Sequence, residues 1–139
     1  MKIVVCGSYG DIKGFLKVLE RFQRELGKQN VFPDEQHLRE SKPCIEAHHG
    51  LGEETSATLM TRSKLMKVYF RQIDLADLVV VRNEKNGKEY YGTGTAIELG
   101  YAIAKGKRIL FTRKPTNSNI LSLMNNLESN GKECVLKST

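Results

Sequence analysis

Three short apolar runs, 2-KIVVC-6, 78-LVVV-81 and 109-ILFT-112, constrain this chain more than anything else in it. They are continuous rather than alternating, the pattern expected of strands buried on both faces of a parallel sheet. Parallel strands need long crossovers, and the intervals carry helical periodicity. From Ile12 to Leu26, the residues Phe15, Leu16, Leu19, Phe22 and Leu26 share one helical face, with Asp11 as N-cap and Gly27 at the C-cap. A weak second strand is expected at 30-NVFP-33, ended by Pro33. Residues 34–52 are polar, hold Pro43 and three histidines, and read as a loop with room for one helical turn. A long helix is expected from Glu54 to Ile73, and a glycine-containing loop, 83-NEKNGKEYYGTG-94, leads to a helix from Ala96 to about Ala104. A helix near 119-NILSLMNNL-127 and a last strand, 134-CVL-136, complete the pattern. The expected fold is α/β: a doubly wound, flavodoxin-like, five-stranded parallel sheet in the order 2-1-3-4-5, with helices on both faces. Ligands of such sheets sit beyond the carboxyl ends of the strands, where the loops after Cys6 and Val81 emerge together.

A chain of 139 residues with 40% hydrophobic content suits one globular domain, residues 1–139. The opening MKIVVCGSYG is too short an apolar run for a leader or a membrane span. Cys6, Cys44 and Cys134 are odd in number and widely separated, which suits free thiols and a cytoplasmic location. The net charge of +6 is scattered, apart from 105-KGKR-108 and 113-RK-114. It is weakly favourable to an anionic ligand, and with no basic helix or RNP-like strand it does not point to nucleic acid. His37, His48 and His49 have no partners at metal-ligand spacing, so no metal is expected.

The segment from Tyr90 to Ala104 carries a single charged side chain, Glu98, just after a run of glycines and threonines. Two readings stay open. With Thr95 as N-cap, Thr95-Ala96-Ile97-Glu98 is a capping box and Glu98 merely closes its helix. Alternatively, backbone amides at the helix start favour its charged form and press its pKa down. It would then be a fixed anion, suited to act as a nucleophile or to stabilise an oxocarbenium ion.

The segment 92-GTGTAIELGYAIAKGKRILF-111 resembles the nucleoside 2-deoxyribosyltransferase superfamily, in which a Glu-Leu-Gly helix start follows a glycine-containing loop. The opening 3-IVVCGSYG-10 is similar to that family's first strand and phosphate-side loop, and 76-ADLVVV-81 to its third strand. The run 120-ILSLM-124 resembles the nucleotide-directed branch, the 2′-deoxynucleoside 5′-phosphate N-hydrolases. The resemblance covers most of the chain except about residues 30–66.

The resemblance implies cleavage or exchange of an N-glycosidic bond in a nucleotide or nucleoside, without a cofactor. Glu98 would be the nucleophile, passing through a glycosyl-enzyme intermediate by the retaining logic of glycosidases. Gly7, Ser8, Tyr9 and Gly10 would line the sugar and phosphate side, with Gly94 and Thr95 approaching the same region. Ser122 would reach a phosphate in a neighbouring subunit, which implies a homodimer or higher homo-oligomer. The chain departs from the family in three places. The family's helix aspartate, eight residues ahead of Asp77, is here Tyr69, a phenol of ordinary pKa about 10 and a weak substitute for a carboxylic acid. The transferases' acid six residues before the nucleophile is here Gly92, with Glu84 and Glu89 the nearest substitutes. The first loop lacks the N-hydrolases' arginine, for which Lys13 is the nearest candidate. These departures leave room for a nucleotide-binding or sensor module that keeps the pocket without the chemistry. An assembly or interaction protein is the third class.

Overall fold

In a computed structural model, which describes residues 1–50 and 52–139, the apolar runs pair as the centre of a mixed six-stranded sheet. Strand β1 (Ile3–Gly7) leads into helix α1 (Ile12–Leu26) and the short strand β2 (Val31–Phe32). Helices α2 (Glu35–His48) and α3 (Ser56–Leu75) precede β3 (Leu78–Arg82). A small ribbon, β4 (Glu84–Lys85) and β5 (Lys88–Glu89), precedes α4 (Thr93–Ala104) and β6 (Arg108–Phe111). Helix α5 (Ser118–Leu123) and a hairpin, β7 (Met124–Asn130) with β8 (Glu133–Ser138), end the chain.

The strand order is β2-β1-β3-β6-β8-β7. The first four run parallel, with β1 between β2 and β3. The chain therefore builds outward from β1 to β2, then returns across β1 to lay down β3, and strand order reverses there. Gly7 pairs with Arg82 in the β1–β3 register, so the loops leaving these two strands start side by side.

Alternate side chains of the central strands feed two separate cores. Ile3, Val5 and Val80 pack with Phe15, Leu19 and Phe22 of α1. Val4, Cys6, Val79, Val81, Ile109 and Phe111 face the other way, onto Tyr69 and Ile73 of α3 and Leu99 and Ala102 of α4. Full burial of each such apolar side chain contributes roughly 1.5–3 kcal/mol. The alternation sends the Cys6 side chain towards α4 and leaves Val5 facing α1.

Three sequence expectations are corrected. The sheet is not five parallel strands, because residues 134–136 lie beside β6 but run antiparallel to it. The reason is local. Gly131-Lys132 makes a tight turn between the paired Asn130 and Glu133, with Gly131 at φ 61°, so the chain doubles back and β8 enters beside β6 from the opposite direction. The helix expected to run to Leu127 stops at Leu123, and residues 124–130 form the outer strand β7. Within the stretch expected as loop, residues 35–48 form a helix. Asp34 caps α2 by accepting from the His37 amide at 2.8 Å, and its buried side is His37, Ser41 and Cys44. That face is small and polar, so it carries little hydrophobic periodicity. Among the described residues no helix is long and apolar enough to cross a membrane.

Replacing Phe15, which is fully buried, by Ala should lower unfolding free energy by about 3–5 kcal/mol in urea titration. The same change at Leu127, 51% exposed on the outer strand, should cost less than about 0.5 kcal/mol.

Candidate functional site

A cavity of ≈ 430 Å³ opens beyond the carboxyl ends of β1 and β3. Its floor is the loop Gly7–Gly10 and the start of α4, from Gly92 to Glu98. Arg62, Leu65, Met66 and Tyr69 of α3 form one wall. His37, Ser41, Cys44, Ile45 and His48 of α2 form the other, and Tyr90 stands at the mouth.

The first loop is pinned from below. Ser8 Oγ accepts from the Gly10 amide at 3.2 Å, and Asp11 caps α1. The Arg82 guanidinium beside Asp11 donates to it at 2.8 Å and holds its carboxyl below the usual range. A Cβ on Gly14 would overlap that guanidinium, so Arg82 would have to shift from its present pairing with Asp11.

Helix α4 starts earlier than its sequence suggests. Gly92 is the N-cap and offers no side chain to the free amides, so Thr95 lies within the helix and the capping box does not form. Glu98 is one turn further in, only 7% exposed, and lines the cavity instead of closing its own helix. Its electrostatics reverse the sequence expectation as well. Burial pushes its carboxyl up to about 8, opposed only by a hydrogen bond from the Cys6 thiol. Desolvation of the charged form outweighs the helix start, because the first-turn amides lie a turn away. Cys6 is itself pushed up, by burial and then by the neighbouring Glu98. Burial therefore favours the protonated form of Glu98 at neutral pH.

Tyr69 is 4% exposed, and its hydroxyl donates to the Val5 carbonyl at 3.0 Å. A phenol has one proton, so the 3.1 Å contact between the Tyr9 and Tyr69 hydroxyls must be a bond donated by Tyr9. Burial pushes both phenols up. Tyr69 thus ties the first loop to β1 and has no proton free to give a ligand, contrary to the role its position suggests. Thr95 Oγ1 is buried with no hydrogen-bond partner among the described residues, and it borders the cavity. An orphaned buried hydroxyl costs about 1–3 kcal/mol, which a ligand atom can recover.

Of the residues singled out in the sequence, Gly7, Ser8, Tyr9, Gly10, Tyr69, Gly94, Thr95 and Glu98 all line this one cavity. Ser122 does not. It is exposed on α5, donating to the Asn119 carbonyl at 2.7 Å. Lys13 is exposed and outside the cavity lining. Glu89 is consumed by Tyr91, Thr116 and Asn117, and Glu84 pairs with Arg113 at 3.8 Å, so neither carboxylate reaches the cavity. Tyr101 stacks on Phe70 and donates to Asp74, away from the site. Asp77 accepts from the Lys2 amide at the amino end of β3. Glu98 is therefore the one carboxylate among the described lining residues. No cluster of three or more described His, Cys, Asp or Glu side chains could hold a metal ion.

Sequence reasoning missed the whole α2 wall and the pairing of Cys6 with Glu98. The wall was signalled weakly, by polar and small residues at helical spacing from His37 through Ser41 and Cys44 to His48. His37 packs edge-on against Phe32 and Tyr69, at 4.7 and 5.1 Å between ring centres, and burial holds its imidazole low and neutral. Neither a protein-family model nor any curated protein matches this sequence.

A carboxyl raised from 4.5 to about 8 keeps in the folded state a proton that the unfolded chain releases above pH 4.5. Its stability contribution is complete below that value and is lost as pH climbs to about 8. At about 1.4 kcal/mol per pH unit the loss reaches at most about 5 kcal/mol, less whatever water relieves. Thermal melts should show stability falling from pH 5 to 8, and Glu98→Gln should remove most of that slope and raise Tm at pH 8. Tyr69→Phe should cost about 1–3 kcal/mol in urea titration, by leaving the Val5 carbonyl unpaired.

Proposed function

We propose that this chain cleaves, or exchanges the base across, the N-glycosidic bond of a nucleoside 5′-monophosphate or nucleoside. The reading rests on one observation: the one carboxylate among the described lining residues is buried at the carboxyl ends of the parallel strands, beside a hydroxyl that lacks a partner among those residues. The family resemblance around Glu98 supports the same reaction class.

Glu98 attacks C1′ as the base departs, and water or a second base then displaces the carboxylate with overall retention. The raised pKa fits this cycle in a particular way. An ordinary carboxylate in the empty pocket would be a poorly solvated charge, whereas a sugar developing positive charge at C1′ supplies the missing counter-charge. Ser8 Oγ and the loop amides take the sugar and phosphate side. Thr95 Oγ1 offers a hydrogen bond to a sugar hydroxyl or ring substituent. Ser122 faces away from its own cavity, so a phosphate contact from it requires a second copy, and a homodimer belongs to this proposal.

A second reading has its own support. The residue in the position of the family's acid is Tyr69, whose proton is committed to Val5. A nucleotide-binding module without turnover would tolerate that commitment.

Incubation with a panel of nucleotides and nucleosides, followed by chromatography for free base, separates the two. Base release that disappears in Glu98→Gln while ligand binding persists is the expected result. Its kcat/KM should rise with pH to a plateau above about 8, as Glu98 of the free enzyme ionises. Saturable binding with no release from any substrate would favour the binding module instead. Failure of every nucleotide to raise Tm at saturating concentration would remove both.

A further inference from the structure

Cleaving the bond to a neutral nucleobase ordinarily requires a proton donor, because the base would otherwise leave as an anion. Among the described lining residues, no carboxyl, phenol, thiol or imidazole of the interior is free to act as one, and the remaining phenol, Tyr90, stands at the mouth. The Tyr69 proton is held by the Val5 carbonyl, and the Tyr9 proton by Tyr69. Glu98 is the nucleophile and has no second carboxylate beside it. Burial holds the His37 imidazole neutral, and it raises the Cys44 thiol. Arg62 carries a fixed charge, already shared between Glu54 and the Cys44 carbonyl at 3.0 Å each. His48 stands at the exposed rim, where a Cβ on Gly10 would lie 2.8 Å from its Nε2, on the sugar and phosphate side of the reading above.

We propose that the leaving group this site takes is a base that already carries positive charge, a pyridinium or an N7-alkylated purine joined to C1′ of a ribosyl or 2-deoxyribosyl 5′-phosphate. The proposal rests on the glycosidic reading and adds the substrate class to it. A Glu98 carboxylate oxygen bonds to C1′ while the C1′–N bond breaks, and the electron pair of that bond returns to the ring nitrogen. The ring cation is thereby quenched, and the base departs neutral with no proton transferred. Water then adds to C1′, the C1′–O bond breaks with its pair returning to the carboxylate, and the surplus proton of the water passes to solvent.

The same cation solves the other difficulty of the site. A buried carboxyl pushed up to about 8 is a poor nucleophile at neutral pH. An opposite charge a few ångströms away favours its ionised form, so a cationic ligand generates the nucleophile it needs and a neutral one does not. The rings of Tyr9, Tyr69 and the neutral His37 border the pocket and can face a cation, while the permanent cation among the described lining residues, Arg62, is paired with Glu54 at 3.0 Å.

The test uses the intact chain at pH 7.5. One arm compares nicotinamide mononucleotide with adenosine and uridine 5′-monophosphates. A shape-matched arm compares 7-methylguanosine 5′-monophosphate with guanosine 5′-monophosphate, with 2-deoxyribosyl forms alongside. Expected is kcat/KM at least about 100-fold higher for the cationic member of each arm, the scale of a missing general acid. For nicotinamide mononucleotide, whose base does not titrate in this range, kcat/KM should rise with pH and show no alkaline fall. Neutral nucleotides cleaved within tenfold of the cationic ones would overturn this inference and leave the glycosidase reading standing. So would an alkaline fall, since it would reveal a group that must stay protonated. Cleavage of neither class would overturn both.

Discussion

Parallel pairing of β1 with β3 is the constraint from which the rest of the molecule follows. Its side chains are buried alternately against α1 on one face and against α3 and α4 on the other, leaving no solvent-facing side. A strand pair buried in this way tolerates neither a register slip nor a polar residue in its middle. The polar work is displaced to the strand ends, where Gly7 and Arg82 lie opposite each other and both chains leave the sheet. The cavity exists because these two loops diverge at that point, with α2 and α3 closing the space above them.

Within that frame the decisive energetic feature is a carboxyl held where its charge is unwelcome. The neighbours of Glu98 are a thiol, two phenols tied to one another and to a backbone carbonyl, and an unpaired threonine hydroxyl. None supplies a counter-charge. A buried carboxyl without a counter-charge is the kind of perturbed group that clusters at functional sites. The surrounding scaffold is by contrast well satisfied. Asn83, fully buried, bonds Tyr91, Arg113 and Thr112, and Glu89 holds the loop after β6. The one buried side-chain atom without a partner among the described residues, Thr95 Oγ1, thus lies at the cavity rather than in the scaffold.

Legibility followed the strength of the local signal. The strands at residues 3–7, 78–82 and 108–111 and helix α1 with its Asp11 cap were readable, since continuous apolar runs and an apolar helical face determine burial directly. Helix α2 was not, because its buried side is His37, Ser41 and Cys44, residues whose burial depends on what covers them. The outer strand β7 was missed for a related reason. After Met124 it is exposed and rich in asparagine, and it is a strand only because β8 offers a hydrogen-bonding edge. In the site, Glu98 stood out as a lone charge in an apolar stretch. The length of α4, which places it a turn beyond the cap, depends on backbone geometry at Gly92.

By itself the sequence determined an α/β sheet with β1 and β3 side by side, the switch point beside them, and part of the set of residues gathered there. Those features depend on composition and periodicity, which act locally and are written into each segment. Only the tertiary structure decided the antiparallel return of β8, the helical wall over the cavity, the commitment of the Tyr69 proton to Val5 and the reversal of the Glu98 pKa. Each of these depends on what lies across from a group in space. Desolvation and hydrogen-bond pairing are properties of a completed environment, and no single segment carries them.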